Sequence, residues 1–208
     1  MAAYTLFTNP MSRGQIARWA LHEAGADYEQ VLVDWTDKPA ALVAANPMGK
    51  VPVIVHHSAS GDQEVTECAA ICAYRAAAQP AAGLLPSDAE LGDYYRWMFF
   101  AAGPIEQAIV GKSMGWEVPE GRAGMVGFGS IERVLDTLEA HFEHSSYVCG
   151  ARFTMADVYV GSQVDWGLNF GSIPARGAFV AYAERLRARP AYIAAKGIDT
   201  ALIAAQSN

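Results

Sequence analysis

Strand-like patterning in this 208-residue chain stops before residue 79, and that boundary sharply limits the folds open to it. Ahead of it, short β-prone runs alternate with helical stretches. Beyond it, every periodic segment has helical spacing. The segment between them, QPAAGLLPSD (79–88), holds two prolines and a glycine, residues that punctuate helix and strand alike. The pattern predicts an α/β domain over 1–79, a linker over 80–88 and an all-helical domain over 89–208.

The first part reads in order. A strand at 4–8 ends in Asn9-Pro10, and a helix follows with Ile16, Trp19, Ala20 and Ala24 at three- and four-residue spacings. Gly25 stops that helix. A strand at 28–33, a helix at 38–45, a strand at 51–56, a turn at 58–63, a short strand at 64–66 and a helix at 67–78 complete it. This is βαβ, a helix, then ββα, which allows parallel pairing first and a hairpin afterwards. In the second part, helices are expected at 91–110, with a kink or break at Gly103-Pro104, at 125–144, at 155–169 and at 179–188, halted before Pro190. Residues 111–122 read as irregular.

The net charge of -7 and pI near 5.2 argue against nucleic acid or an anionic membrane as the main partner, since both select basic surfaces. Cys68, Cys72 and Cys149 are odd in number and widely spaced. They predict no disulfide framework and fit a reducing, cytoplasmic setting. The N-terminus lacks the basic-then-apolar pattern of a signal peptide, and no run of about 18 apolar residues predicts a membrane span.

Two segments carry chemistry. In NPMGKVPVIV (46–55), Pro52 stands directly before a strand. It can be cis, which would present the Val51 backbone to a neighbour, or an ordinary trans proline opening a strand. In VTECAAICAY (65–74), Glu67 and Cys68 sit where strand becomes helix. Amides at a helix start favour an anion, and Cys68 adds a weak donor. Glu67 is equally a first-turn acid placed by the helix dipole.

In this order, the two segments resemble the thioredoxin-like half of the cytosolic glutathione transferases. The C-terminal half is similar too: FTMAD (153–157), with Thr154 and Asp157 spaced as a capping box, WMFFAAGPIE (97–106) and ARPAY (188–192). The resemblance implies a thioredoxin-like glutathione-binding domain joined to an all-α bundle, in a bacterial-type, serine-type enzyme. It implies that the Val51-Pro52 backbone pairs with the cysteinyl part of glutathione. Glu67 and Cys68 would take the γ-glutamyl end, where the family usually has serine in place of Cys68. It further implies a hydrophobic electrophile as second substrate, no metal, and a cytoplasmic homodimer used in detoxification. A non-enzymatic ligand-binding or assembly module on the same fold, or a specialised etherase, dehalogenase or isomerase, remain the alternatives.

The reaction needs a thiolate, and a free thiol with a pKa of about 8.5 is mostly protonated at neutral pH. A donor aimed at sulfur lowers that value. The family supplies it from the loop after the first strand, here TNPMSRGQ (8–15). Ser12 is the expected catalytic donor, though it also suits a helix N-cap. Asn9, Arg13 and Gln15 are alternates, and Tyr4 lies too early in its strand. No cysteine occurs in this loop, which argues against mixed-disulfide chemistry. Lys50, Arg13 and Lys38 are candidate partners for the tripeptide's carboxylates, with Trp35 closing one side. Met11, Tyr95, Phe99, Met114 and Trp116 are candidates for the electrophile's apolar surroundings. His141 and His144 share a helix face without an evident third ligand.

Overall fold

The computed structural model describes residues 2–206; Met1, Ser207 and Asn208, at the outer ends of the two expected domains, lie outside them. By compactness, residues up to Leu85 group with those from Ala188 onward, and Pro86–Arg187 group by themselves.

The first unit is built on a four-stranded sheet in the order β2-β1-β3-β4, from β1 (Tyr4–Thr8), β2 (Tyr28–Leu32), β3 (Val53–Ser58) and β4 (Gly61–Val65). β1 and β2 are parallel, joined through α1 (Gly14–Glu23). β3 is antiparallel to both β1 and β4. Strand alternation sorts the core onto two faces. Tyr4, Leu6 and Ile54 pack with Ala17 and Leu21 of α1 and with Ile71 of α3 (Cys68–Ala78). Phe7, Val53 and Val55 pack with Val33 and with Leu42 of α2 (Ala40–Ala45). The hairpin is tighter than its sequence suggests: Ser58 pairs with Gly61, so the polar Gly61–Glu64 segment is strand. Those residues are exposed, which removes the apolar alternation that would have marked them.

The second unit is helical. α4 (Leu91–Phe100) passes through a π-helical stretch, Ala101–Ile105, into α5 (Glu106–Ser113). Pro104 lies in that stretch; its missing N–H makes the regular ladder impossible there, so the kink or break expected at Gly103-Pro104 takes the form of a π-helical irregularity. α6 (Ile131–Phe142) begins six residues later than the sequence predicts, with Ser130 as N-cap accepting from the Arg133 N–H. Gly129, in the left-handed region at φ 65, ends any continuation backwards. α7 (Met155–Phe170) is buried along most of its length, and α8 (Gly177–Arg187) stacks Tyr182 on Phe142 of α6 with ring centroids 3.9 Å apart.

α8 does end short of Pro190, at Arg187, but Pro190 has a second role. It opens α9 (Pro190–Gln206), a helix absent from the sequence-based expectation. Proline is tolerated at a first helical position because that N–H has no intrahelical partner anyway. α9 belongs to the sheet-bearing unit and packs along α1. The buried Arg18 Nε donates to the buried Asp199 at 2.9 Å, and Arg189 grips Glu23 through two bonds of 2.7 Å.

Candidate functional site

One end of the sheet collects the loop after β1, the Val51–Pro52 pair and the Glu67–Cys68 pair. β1 ends there at Thr8, β3 starts there at Val53 and β4 returns there at Val65. Phe7 pairs with Val53 and Ile54 with Val65. Extending those registers sets Val51 and Pro52 beside the loop after β1 on one side and beside Glu67 and Cys68 on the other.

The Val51–Pro52 peptide is cis. Lys50 is exposed, Val51 half-buried and Pro52 buried. The approach is held by buried Asn46, whose side-chain amide donates to the Lys50 carbonyl at 3.0 Å and accepts from the Met48 N–H at 3.1 Å. At the other side, Glu67 stands at the N-cap of α3 with φ 61 and ψ 121. A non-glycine residue held there costs about 1–3 kcal/mol, and such residues cluster where a ligand is clamped. Its side chain is exposed. The first-turn amides of α3 have no partner within the helix, and the helix dipole favours an anion beside them.

Cys68 is buried, and its thiol donates to the Arg13 carbonyl at 3.7 Å. That contact ties α3 to the loop after β1 and competes with the side-chain donor role expected of Cys68. Arg13 itself is exposed, at the N-cap of α1 without a side-chain cap. The loop is fastened by buried Asn9, whose amide donates to the Val33 carbonyl at 3.0 Å and accepts from the Met11 N–H at 2.9 Å. Half-buried Ser12 donates through Oγ to the Asn9 carbonyl at 2.7 Å and accepts from the Gly14 N–H at 3.0 Å. It therefore serves the start of α1 while keeping one side toward solvent. Gly14 allows this close approach: a Cβ there would lie 1.9 Å from the Thr8 hydroxyl oxygen. Gln15 Nε2 donates to the Pro10 carbonyl at 2.5 Å.

Tyr4, Arg75 and Cys72 of this unit are turned to structure. The Tyr4 hydroxyl is bonded by the buried Arg75 guanidinium, and burial raises its pKa. Burial pushes the Cys72 thiol well above its ordinary value. In the helical unit burial lifts Cys149 to about 11. The His141 ring is hydrogen-bonded to the Val148 carbonyl at 3.0 Å, and burial lowers its pKa. No group of three or more His, Cys, Asp or Glu is placed to hold a metal ion among the described residues.

Of the apolar candidates, Met11 is exposed in the sheet-bearing unit, while Tyr95, Phe99, Met114 and Trp116 are exposed in the helical one. Trp116 lines a cavity of about 1350 Å³ with Val110, Val118, Val126, Phe128 and Ile131. This lining explains the misread start of α6: the apolar residues from Met125 to Phe128 mimic helix periodicity but face a cavity. Sequence reasoning also missed Lys196 of α9, whose Nζ donates to Gln15 Oε1 at 2.6 Å. The usable signal was the proline at a first helical position ahead of a long alanine-rich run.

Comparison with known proteins shows the family. Residues 2–76 match the family described as glutathione S-transferase, N-terminal domain, and residues 88–166 match glutathione S-transferase, C-terminal domain. Glutathione S-transferase 3 of Zea mays is 29% identical over 170 residues, covering 76% of this chain and 75% of that protein. A glutathione transferase from Methylococcus capsulatus strain Bath superposes with a TM-score of 0.77 at 29% identity, covering 95% of this chain and 98% of that one. A sphingomonad glutathione S-transferase solved with glutathione gives 0.75 at 28% identity, covering 94% and 98%. With a four-stranded thioredoxin-like sheet in one unit and a helical bundle in the other, this chain belongs to the cytosolic glutathione S-transferase family.

Proposed function

We propose that this chain is a glutathione transferase that ionises the glutathione thiol for attack on a small hydrophobic electrophile. The observation that carries the reading is the convergence, at one sheet end, of a cis Val51–Pro52 bond, the Glu67–Cys68 start of α3 and the Ser12 loop. The Val51 backbone would pair with the cysteinyl part of the tripeptide, with buried Pro52 shaping that edge. Glu67 would bind the γ-glutamyl ammonium. The amides at the start of α3, with Cys68, would bind its carboxylate. Lys50 and Arg13, both exposed beside this edge, would meet the remaining carboxylate. Ser12 is the proposed sulfur donor. Its hydroxyl has a single hydrogen, now on Asn9, so activation requires that hydrogen to rotate toward the thiolate, a charged and therefore stronger acceptor than a carbonyl.

The test is paired. Glu67→Ala should weaken glutathione binding by about 2 kcal/mol, read by calorimetry. Ser12→Ala should leave binding nearly intact while raising the pKa of bound glutathione, read from the thiolate's ultraviolet absorbance against pH. An unshifted titration with normal turnover would move the donor role to a backbone amide or to Asn9, Arg13 or Gln15.

Trp116 is the proposed apolar contact for the electrophile, so Trp116→Ala should raise KM for the electrophile and leave that for glutathione unchanged. We read the active form as a cytoplasmic homodimer. Tyr94, Trp97 and Met98 of α4 are buried, but Tyr95 and Phe99 are 50% and 71% exposed, an apolar surface that two-fold pairing would cover. Light scattering that gives the 22.3 kDa of one chain at all concentrations would rule the dimer out.

A further inference from the structure

The sulfur-donor loop is tied to the far end of the sequence. Among the contacts described above, polar links join α1 to α9 and to Arg189 just ahead of it; two of them, Arg18–Asp199 and Arg189–Glu23, sit on the middle and last turns of α1. A third is different. Lys196 Nζ donates to Gln15 Oε1 at 2.6 Å, and Gln15 Nε2 donates to the Pro10 carbonyl at 2.5 Å. Pro10 lies two residues before Ser12. An ammonium is only a donor and a carbonyl only an acceptor, so the two ends of the Gln15 amide are assigned without ambiguity. A cation on its oxygen also polarises the amide and strengthens the bond its nitrogen makes. Both side chains are half-buried, which limits screening of this chain of bonds.

We infer that Lys196 is a positioning residue for the reaction, acting through Gln15 to fix the Pro10 carbonyl and hence the orientation of the Ser12 loop. The inference rests on the reading that Ser12 faces the glutathione sulfur. Asn9 and Ser12 fasten the loop from within; the Lys196–Gln15 link fastens it from outside. Lys196→Met removes the cation that fixes the Gln15 oxygen, so the amide is held only through its bond to Pro10 and the loop spends part of its time with the hydroxyl misdirected.

The experiment titrates bound glutathione by thiolate absorbance in wild type, Lys196→Met, Lys196→Arg, Gln15→Leu and Ser12→Ala. Lys196→Met should raise the thiol pKa and lower kcat by about three- to tenfold at neutral pH, a change of up to one pKa unit. Glutathione affinity should stay within about twofold, because that contact set does not include Lys196. Gln15→Leu should reproduce the shift, and Lys196→Arg should keep the wild-type titration, since arginine can donate to the same oxygen. A merely structural link would lower the melting temperature and leave the thiol titration in place. If Ser12→Ala shifts the titration and neither Lys196→Met nor Gln15→Leu does, the positioning role is overturned while the Ser12 reading stands. If none of the three shifts it, Ser12 is not the donor and the inference falls with it.

Discussion

Thr154, the N-cap of α7, and Ser12, one residue before the Arg13 N-cap of α1, are hydroxyl residues at helix starts that are used in opposite ways. At α7, Thr154 is fully buried and locked to Asp157 by bonds from its N–H at 2.8 Å and its hydroxyl at 3.2 Å. The same carboxylate accepts from the Val148 N–H at 2.7 Å and the Tyr182 hydroxyl at 2.9 Å. Burial pushes the Asp157 carboxyl up to about 6, and these four donors oppose that rise. At α1, Ser12 is half-buried, has no acidic partner, and bonds only to backbone groups of its own loop in the contacts described above. The first start is saturated on every side and holds architecture. The second is tight enough to be ordered yet open enough to change its acceptor, as a catalytic donor must. Sequence alone shows Ser or Thr before a helix in both cases; what separates them is the number of neighbours that close over the oxygen.

The strongest way to break that contrast is Asp157→Ala. It strands two buried N–H groups and two hydroxyls, so it should cost about 3 kcal/mol or more, well above the roughly 1 kcal/mol of an exposed cap. For a chain of this length that lowers the melting temperature by about 6–12 °C. Glutathione affinity per folded molecule should not change. A loss near 1 kcal/mol in a denaturant titration would mean that water replaces the missing carboxylate, and that the α7 start is no more closed than the α1 start.

Gly14→Ala is the corresponding blow to the open start and ranks next. The added Cβ would lie 1.9 Å from Thr8 Oγ1 and 3.0 Å from Ser12 Oγ. Thr8 is wholly buried and its hydroxyl has no hydrogen-bond partner among the described residues, so it has nowhere to swing. Overpacking of this kind costs about 1–3 kcal/mol. Here it should also displace the Ser12 hydroxyl and raise the pKa of bound glutathione. Adding Thr8→Ala should recover part of both losses. Equal stability of Gly14→Ala and wild type would show that the loop yields easily, and that its order owes little to close packing.

These contrasts also explain what could be read in advance. β1, α1, the 46–55 segment and the Thr154–Asp157 spacing are local patterns: alternation, a turn signal, a proline before a strand, a cap. Each is written in a handful of adjacent residues. α9 was misread because Pro190 both ends helices and begins them, and only packing against α1 decides between the two. Lys196 could not be associated with Ser12 from sequence, since 184 positions separate them and the link passes through Gln15. The Cys68–Arg13 bond was hidden for the same reason. The true start of α6 was obscured because residues such as Met125, Val126 and Phe128 satisfy a helix pattern while lining a cavity.

The smallest effect concerns an acid that resembles Asp157 in role but stands at the surface. Glu90, at the N-cap of α4, accepts from Arg152 at 2.5 Å and from the Ser87 N–H at 2.7 Å. The Arg152 bond is the larger cause that lowers its pKa from the ordinary 4.5 to about 2, and the Ser87 bond adds to it. Arg152 is 44% exposed, so solvent screens the pair and Arg152→Ala should cost at most about 1 kcal/mol at pH 7. The sign follows from the depressed value: the ionised form is the one that folding favours. Its contribution is complete above pH 4.5, fades as the pH falls through that range, and is gone below about pH 2. Wild type and Arg152→Ala should therefore differ most at neutral pH and converge on acidification in paired denaturant titrations. In the variant the Glu90 carboxyl should titrate closer to 4.5 by NMR, though still below it because Ser87 remains. A difference that persisted undiminished at pH 2 would mean Arg152 acts through packing of its stem rather than through Glu90, and the surface cap would then owe its stability to the same burial that closes the start of α7.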